Sequence, residues 1–306
     1  MNKITSDLGL KLMPLPCCPV CRGEKRKKLF WLDLFSVYQC VGCSLRYIDP
    51  CLSPQGMQEL YSSTDSLTAL NRFHSTYYDY GDPNRPSKTV CDFERALGLL
   101  KGSTLDPGKS VFDVGCGNGL FLAVAKKHGW DANGCDSSKA NVSLAAAKFG
   151  VNVDCSSFAR WEPRGRKYDV VSFWDVLEHL PEPHSFVEKA LGMLKPGGQI
   201  VVAGPNDRSF LRIFAETLFF MTAGHMRGPL RKAYLLEHIA YYTIDTIKVL
   251  FSQHGLDIRC YFMSSTDLDK YHFPWAERVL ASGVLSAGDL LGLQNRFVAV
   301  FKRRFD

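Results

Sequence analysis

The chain has 306 residues, 46% of them hydrophobic and 22% charged, with a net charge of +6 at pH 7. These proportions exclude a fibrous, disordered or low-complexity chain and leave room for one large domain with a small companion. The modest positive charge permits contact with nucleic acid or anionic lipid without arguing for either; a mildly basic enzyme surface accounts for it. Eleven cysteines follow a start, "MNKITSDLGLKLMPLP", that holds no apolar leader core. Together they read as reduced thiols and metal ligands in a cytoplasmic chain.

The first predicted element is a ribbon over residues 17–50. Cys18, Cys21, Cys40 and Cys43 form a C-x2-C-x18-C-x2-C array with aromatic, strand-like residues between the pairs. Each C-x2-C pair makes a knuckle that presents two thiolates, and two knuckles make a closed tetrahedral zinc site. Four thiolates leave no open position for water, so the expected Zn2+ is structural. Cys17 has the poorer spacing and Cys51 lies beyond the second knuckle. The run "RGEKRKK" reads either as a phosphate contact or as the solvated tip of a hairpin. Residues 52–87, rich in serine, tyrosine and proline, read as a linker or as a cover over the main site.

From residue 88 strands and helices alternate. The strands are "SVFDVG", "DANGCD", "VNVDCS", "YDVVSFWDV" and "QIVVAGPN", with "LDIRCYFM" and "NRFVAVFKRR" late in the chain. Alternation of this kind predicts a parallel, doubly wound α/β sheet covered on both faces. Ligands then bind beyond the carboxyl ends of the strands, where Gly115, Gly117, Gly119, Asp136, Ser156 and Asp175 gather. The loop "VFDVGCGNGLF" fails the dinucleotide pattern G-x-G-x-x-G/A in both registers, because Leu120 or Leu122 takes the last place.

Three segments resemble class I S-adenosylmethionine-dependent methyltransferases: "VFDVGCGNGLFLAVAKKHGWDANGCDSS", "YDVVSFWDVLEHLPEP" and "LKPGGQIVVAGPN". The resemblance spans about residues 90–306 and implies a Rossmann-like seven-stranded sheet. With the ribbon in front, the chain resembles the subgroup that includes sugar C-methyltransferases and glycan-associated enzymes. That gives three parts: a zinc-ribbon module over 1–51, the linker or cover over 52–87, and a methyltransferase domain over 88–306 with an acceptor-side insert at about 208–236.

The resemblance also assigns residues. The glycines would admit the donor's methionyl part, and Asp136 would accept hydrogen bonds from the ribose hydroxyls. Asp113 would support the loop or the cofactor's amino end, Ser156, Ser157 and Phe158 would meet the adenine, and Trp174 and Asp175 would line the pocket; Cys116, inside the cofactor loop, reads as a small space-filler and not as a nucleophile. In "LLEHIAYYTIDTIKVLF", the family element places a base at His238 beside Glu237, with Tyr241 or Tyr242 near; the same segment also reads as a helix anchor with Thr243 as N-cap. Glu178 and His179 read as structural or cofactor-shaping, the alternative being catalysis with His179 in place of His238 as the base; His225 reads as acceptor-side at most. The insert, with Arg227, Arg231 and Lys232 after an apolar helix, is an acceptor lid, a shallow membrane contact or a packed helix.

The expected activity is methyl transfer to a sugar, nucleotide-sugar or glycan precursor. An rRNA or tRNA methyltransferase using the ribbon on RNA, and a non-catalytic donor-binding scaffold, are the alternatives.

Overall fold

The structure, a computed structural model, describes residues 11–62, 81–100 and 108–304. In chain order it contains β1 (Leu12–Met13), β2 (Arg26–Leu32), β3 (Phe35–Cys40), β4 (Arg46–Asp49), β5 (Cys51–Leu52), α1 (Pro54–Ser62), α2 (Lys88–Leu100), β6 (Ser110–Val114), α3 (Leu120–Lys127), β7 (Asp131–Asp136) and α4 (Lys139–Phe149). There follow β8 (Asp154–Cys155), β9 (Tyr168–Trp174), α5 (Pro183–Met193), β10 (Leu194–Pro205), α6 (Phe210–Met221), α7 (Gly228–Ala233), β11 (Ala240–Tyr241), α8 (Ile244–Ser252), β12 (Leu256–Ser264), α9 (Trp275–Leu290) and β13 (Arg296–Arg303).

The central sheet has seven strands in the order β12-β13-β10-β9-β6-β7-β8. Its strands pair in parallel except at β13, which runs antiparallel to both neighbours. The expected α/β sheet is present, and the physical reason is visible in β6 and β9. β6 is buried at every position and β9 at all but Asp169 and Trp174, as a strand covered by helices on both faces must be. α5 runs toward the segment "LKPGG". The structure ends it at Met193 and starts β10 at Leu194, since Pro196 and the left-handed Gly197 cannot continue a helix.

The cysteine-bearing strands form a second sheet, β11-β4-β3-β2. Three of its strands come from the first 50 residues, and the fourth comes from residues 240–241. β4 pairs with β11 antiparallel, Tyr47 opposite Ala240 and Arg46 opposite Tyr241. The amide of Ile48 also donates to the carbonyl of Ile239 at 3.0 Å. One hydrophobic core runs without a break from Val20, Val37, Leu45 and Ile48 into Phe173, Leu177, Ile200 and Phe251.

A buried ionic network fastens the same sheet to α6. Arg46 pairs with Glu216 and Asp207, Asp207 pairs with Arg212 at 2.8 Å, and the Tyr234 hydroxyl donates to Glu216 at 2.6 Å. Arg212 also lies over the rings of Tyr234 and Tyr241. Among the described residues, no helix is long and apolar enough to cross a membrane.

Candidate functional site

The first part of the site is the loop between β6 and α3. Gly115, Gly117 and Gly119 all have positive φ, at 64°, 54° and 78°. They serve different ends. A Cβ on Gly117 would meet nothing within 4 Å, so its freedom leaves backbone bare along a cleft. A Cβ on Gly119 would strike Val151 at 2.7 Å and Ala145 at 2.9 Å, so Gly119 lets α3 pack against α4 and the chain beyond it. The cleft, of about 100 Å³, is lined by Asp113, Gly115, Cys116, Gly117, Asn118, Asn141, Trp174 and Asp175, with Phe93, Phe121 and Lys270 nearby.

Asp136 ends β7 and is folded into this loop. Its carboxylate accepts the Gly117 amide at 2.9 Å, the Ser138 amide at 2.8 Å and the Asn141 side-chain amide at 3.2 Å. Burial pushes its acidity toward higher pH, and those three donors oppose the shift. Asp113 is buried under the loop and accepts the Ser172 hydroxyl at 2.7 Å; burial holds its carboxyl well above the usual range.

Not every residue expected beside this cleft lies there. Ser156 joins Asp136 through its amide, which donates to the Asp136 carbonyl at 3.0 Å. Phe158 does not face the cleft. Its ring is buried among Phe112, Trp161, Phe173 and Phe186, so its side chain is corrected to a core residue. The apolar ring finds more buried contact under the sheet than at its polar edge.

Beyond the end of β9 a second cavity of about 670 Å³ opens. Asp175 and Lys270 line both spaces, so the cleft and the cavity share a wall. Asp175, itself at φ 56°, pairs with Arg296 at 2.7 Å. Burial alone would raise its pKa; Arg296 and Lys270 outweigh that and hold it below the usual carboxylate range.

The polar end of the cavity is built from two remote segments. Glu178 and His179 sit on the 3-10 turn Leu177–His179, and Glu237 and His238 precede β11. The His179 Nδ1 donates to the Glu237 carbonyl at 2.7 Å, and the Ile239 amide donates to the Glu178 carbonyl at 2.7 Å. The His179 and His238 rings lie 4.9 Å apart, nearly edge to face. Burial lowers the basicity of His179, against the pull of the Glu237 carbonyl and Asp175. Glu178 is held well above the carboxylate range by burial and by Asp175. Burial raises Glu237 to about 7, and its Oε1 has no hydrogen-bond partner among the described residues.

The rest of the cavity wall is largely apolar: Leu211, Phe214, Phe273, Leu280, Val284 and Leu285. Tyr61 of α1 also reaches it, while residues 63–80 of the expected linker or cover lie outside the described residues. His225 is exposed and bonds to Thr222, away from the cavity lining. Thr243 caps α8 with a full capping box, so the helix-anchor reading of that segment describes its second half. Lys270, Arg296 and Arg212 escaped sequence reasoning. Each stands in a segment with no local motif, and the fold alone brings it to the site.

The four expected thiols also converge. Cys18 and Cys43 sulfurs are 3.5 Å apart, and those of Cys21 and Cys40 are 3.3 Å apart, with all four within 4.8 Å. A tetrahedral Zn2+ with bonds of about 2.3 Å needs sulfurs about 3.8 Å apart, so the set fits that ion. Contact with Cys18 lowers the Cys43 thiol below the usual thiol range, in the direction a metal ligand needs.

Comparison with known proteins agrees with this architecture. Residues 85–261 match a family described as a methyltransferase domain, more than half of the chain. A ubiquinone biosynthesis O-methyltransferase of Marinobacter nauticus is 37% identical over 153 residues, 46% of this chain and 64% of the relative. One from Coxiella burnetii is 30% identical over 104 residues, 32% of this chain and 44% of the relative. The chain spans about half the length of the curated relatives it matches.

Among solved structures, magnesium protoporphyrin IX methyltransferase from Synechocystis PCC 6803 aligns with a TM-score of 0.54 at 18% identity, over 82% of this chain and all of that one. The plantazolicin methyltransferase BpumL, solved with a monoazolic desmethylPZN analog and S-adenosylhomocysteine (SAH), aligns with a TM-score of 0.52 at 17% identity, over 81% and 93%. These two likenesses speak for the fold. With the family match over more than half its length and this sheet order, the chain belongs to the class I S-adenosylmethionine-dependent methyltransferases.

Proposed function

We propose that the protein transfers a methyl group from S-adenosylmethionine to a hydroxyl of a small-molecule acceptor held in the larger cavity. The shared wall carries this reading: Asp175 and Lys270 border both the glycine-loop cleft and the cavity, so a donor in one meets an acceptor in the other. Bound in the cleft, the donor supplies an electrophilic methyl on a sulfonium. Gly117 offers bare backbone, and Asn118 and the first turn of α3 bring amide donors to the same rim. Asp136 receives the ribose by releasing part of its hold on Ser138 or Asn141. Ser156 and Ser157, next to Asp136, remain the adenine-side candidates.

On the cavity side, Glu237 takes the acceptor's proton. It is buried, carries an oxygen with no hydrogen-bond partner among the described residues and sits at about 7, the condition for a general base at physiological pH. His238 and His179 hold the acceptor oxygen beside it. The new O–CH3 bond forms as the S–CH3 bond breaks, and the sulfur keeps its electron pair.

A cavity of about 670 Å³ suits a small molecule. Its polar end takes the hydroxylated head, and the apolar wall takes a hydrophobic body. A glycan precursor on a lipid carrier fits this form better than a free sugar does. Phe214 and Leu280 line the cavity and remain exposed, so the body leaves between α6 and α9, where a shallow lipid contact of residues 208–236 would receive it. The insert's Arg231 and Lys232 pair with Asp33 and Glu277, so both are engaged within the fold. Zn2+ on Cys18, Cys21, Cys40 and Cys43 would hold the ribbon sheet. The test is transfer of labelled methyl into a cell extract, fractionated into lipid, glycan, RNA and small molecules. Label in the organic-soluble or glycan fraction supports the reading; label in RNA, or none anywhere, overturns it.

A further inference from the structure

We propose that Glu178, His179 and His238 bind a divalent metal ion at the polar end of the cavity, where it receives the acceptor hydroxyl. This deepens the methyl-transfer reading above and rests on it for the role of the ion, though not for its binding.

The donors are assembled, not scattered. One carboxylate oxygen of Glu178 and one ring nitrogen from each histidine lie within 4.8 Å of one another. Both histidine rings and Glu178 line the same cavity, so an ion there is open to a ligand. Two imidazoles and a carboxylate form a borderline set that accepts Mn2+, Fe2+, Co2+, Ni2+ or Zn2+. An ion bound at about 2.1 Å draws its donors to roughly 3–3.5 Å, which side-chain adjustment supplies.

Two independent features point to a ligand. Glu178 is 3% exposed, and its Oε1 has no hydrogen-bond partner among the described residues. A buried carboxylate oxygen left without a partner is costly, and a cation satisfies it. The second feature is the tautomer of His179. Its Nδ1 proton is fixed on the Glu237 carbonyl at 2.7 Å, so the lone pair resides on the other ring nitrogen. That is the support a metal-bound histidine ordinarily has. The same carbonyl belongs to the proposed base, so one residue orients a ligand with its backbone and takes a proton with its side chain.

The site differs in kind from the four cysteines. Four thiolates close a soft tetrahedral site, whereas three donors from Glu178, His179 and His238 leave positions for the acceptor. An ion held there would polarise the acceptor hydroxyl, whose proton would pass to Glu237 as its oxygen bonds the methyl carbon and the sulfur–carbon bond breaks.

The experiment uses the full chain with its cysteine site filled by zinc. Mn2+ is titrated by the loss of its free-ion EPR signal, and Ni2+ by calorimetry. Wild type is expected to bind one further ion per chain. Glu178→Gln and His238→Ala are each expected to weaken it roughly tenfold or more, while both keep SAH binding as proof of folding. Absence of a saturable second site with both ions overturns the proposal, as does equal binding by wild type and both variants. If zinc-only protein still transfers methyl groups and no second ion binds, the metal site alone fails. If wild type binds the ion but not SAH, the methyl-transfer reading fails and the metal site stands.

Discussion

The two sides of the shared wall are built in different ways. The glycine-loop side is local: Asp113, Gly117, Asp136 and Asn141 come from two successive β-loop-α units, 29 residues end to end. The cavity side is collected from α1, the turn after β9, α6, α7, the segment before β11, α9 and the start of β13. Its polar end depends on the cysteine-bearing sheet. β11 is held against β4, and Ile239 is held by both Ile48 and Glu178, so His238 stands where the ribbon puts it. The small sheet is therefore structurally part of the cavity side. A local motif resists distant damage, whereas an assembled site inherits every weakness of its supports.

The largest effect separating the two sides should come from Glu237→Gln. Turnover is expected to fall by about 10²–10⁴-fold, with SAH affinity unchanged by calorimetry; unchanged turnover would move the base elsewhere. Removal of the proposed zinc by a strong chelator, or Cys40→Ser, comes next. It should abolish most turnover, since binding of a structural zinc ion is folding free energy for the strands around it. SAH should still bind to the chelated protein. If binding and turnover fall together, the single hydrophobic core makes the two sides one cooperative unit and the contrast breaks.

Asp136→Ala attacks the other side. It strands the Gly117 and Ser138 amides and the Asn141 side chain, at a cost of about 1–3 kcal/mol. Loss of its charge-assisted bonds to the ribose, about 1.5–3 kcal/mol, should lower SAH affinity roughly 10- to 150-fold, while turnover at saturating donor changes less. An unaltered dissociation constant would place the ribose contact on another residue. The smallest effect is expected from Arg46→Lys against Arg46→Ala. Alanine leaves Glu216 and Asp207 short of a partner and should raise KM for the acceptor several-fold by loosening Arg212; lysine should restore part of it. Equal KM in all three proteins would show that the network serves stability alone.

By itself the sequence determined the alternating α/β sheet, the failure of the dinucleotide register at Leu120 and Leu122, the convergence of four cysteines and the cap at Thr243. These depend on periodicity, on spacing within a few residues or on a turn that cannot form otherwise, and such constraints are written locally. Tertiary structure alone decided that residues 240–241 complete the ribbon sheet, that Phe158 turns into the core, and that Lys270 and Arg296 reach Asp175. Those outcomes are pairings between segments tens to hundreds of residues apart. They are settled by which surfaces bury one another and which charges must find a partner out of water, and no short window of sequence records that choice.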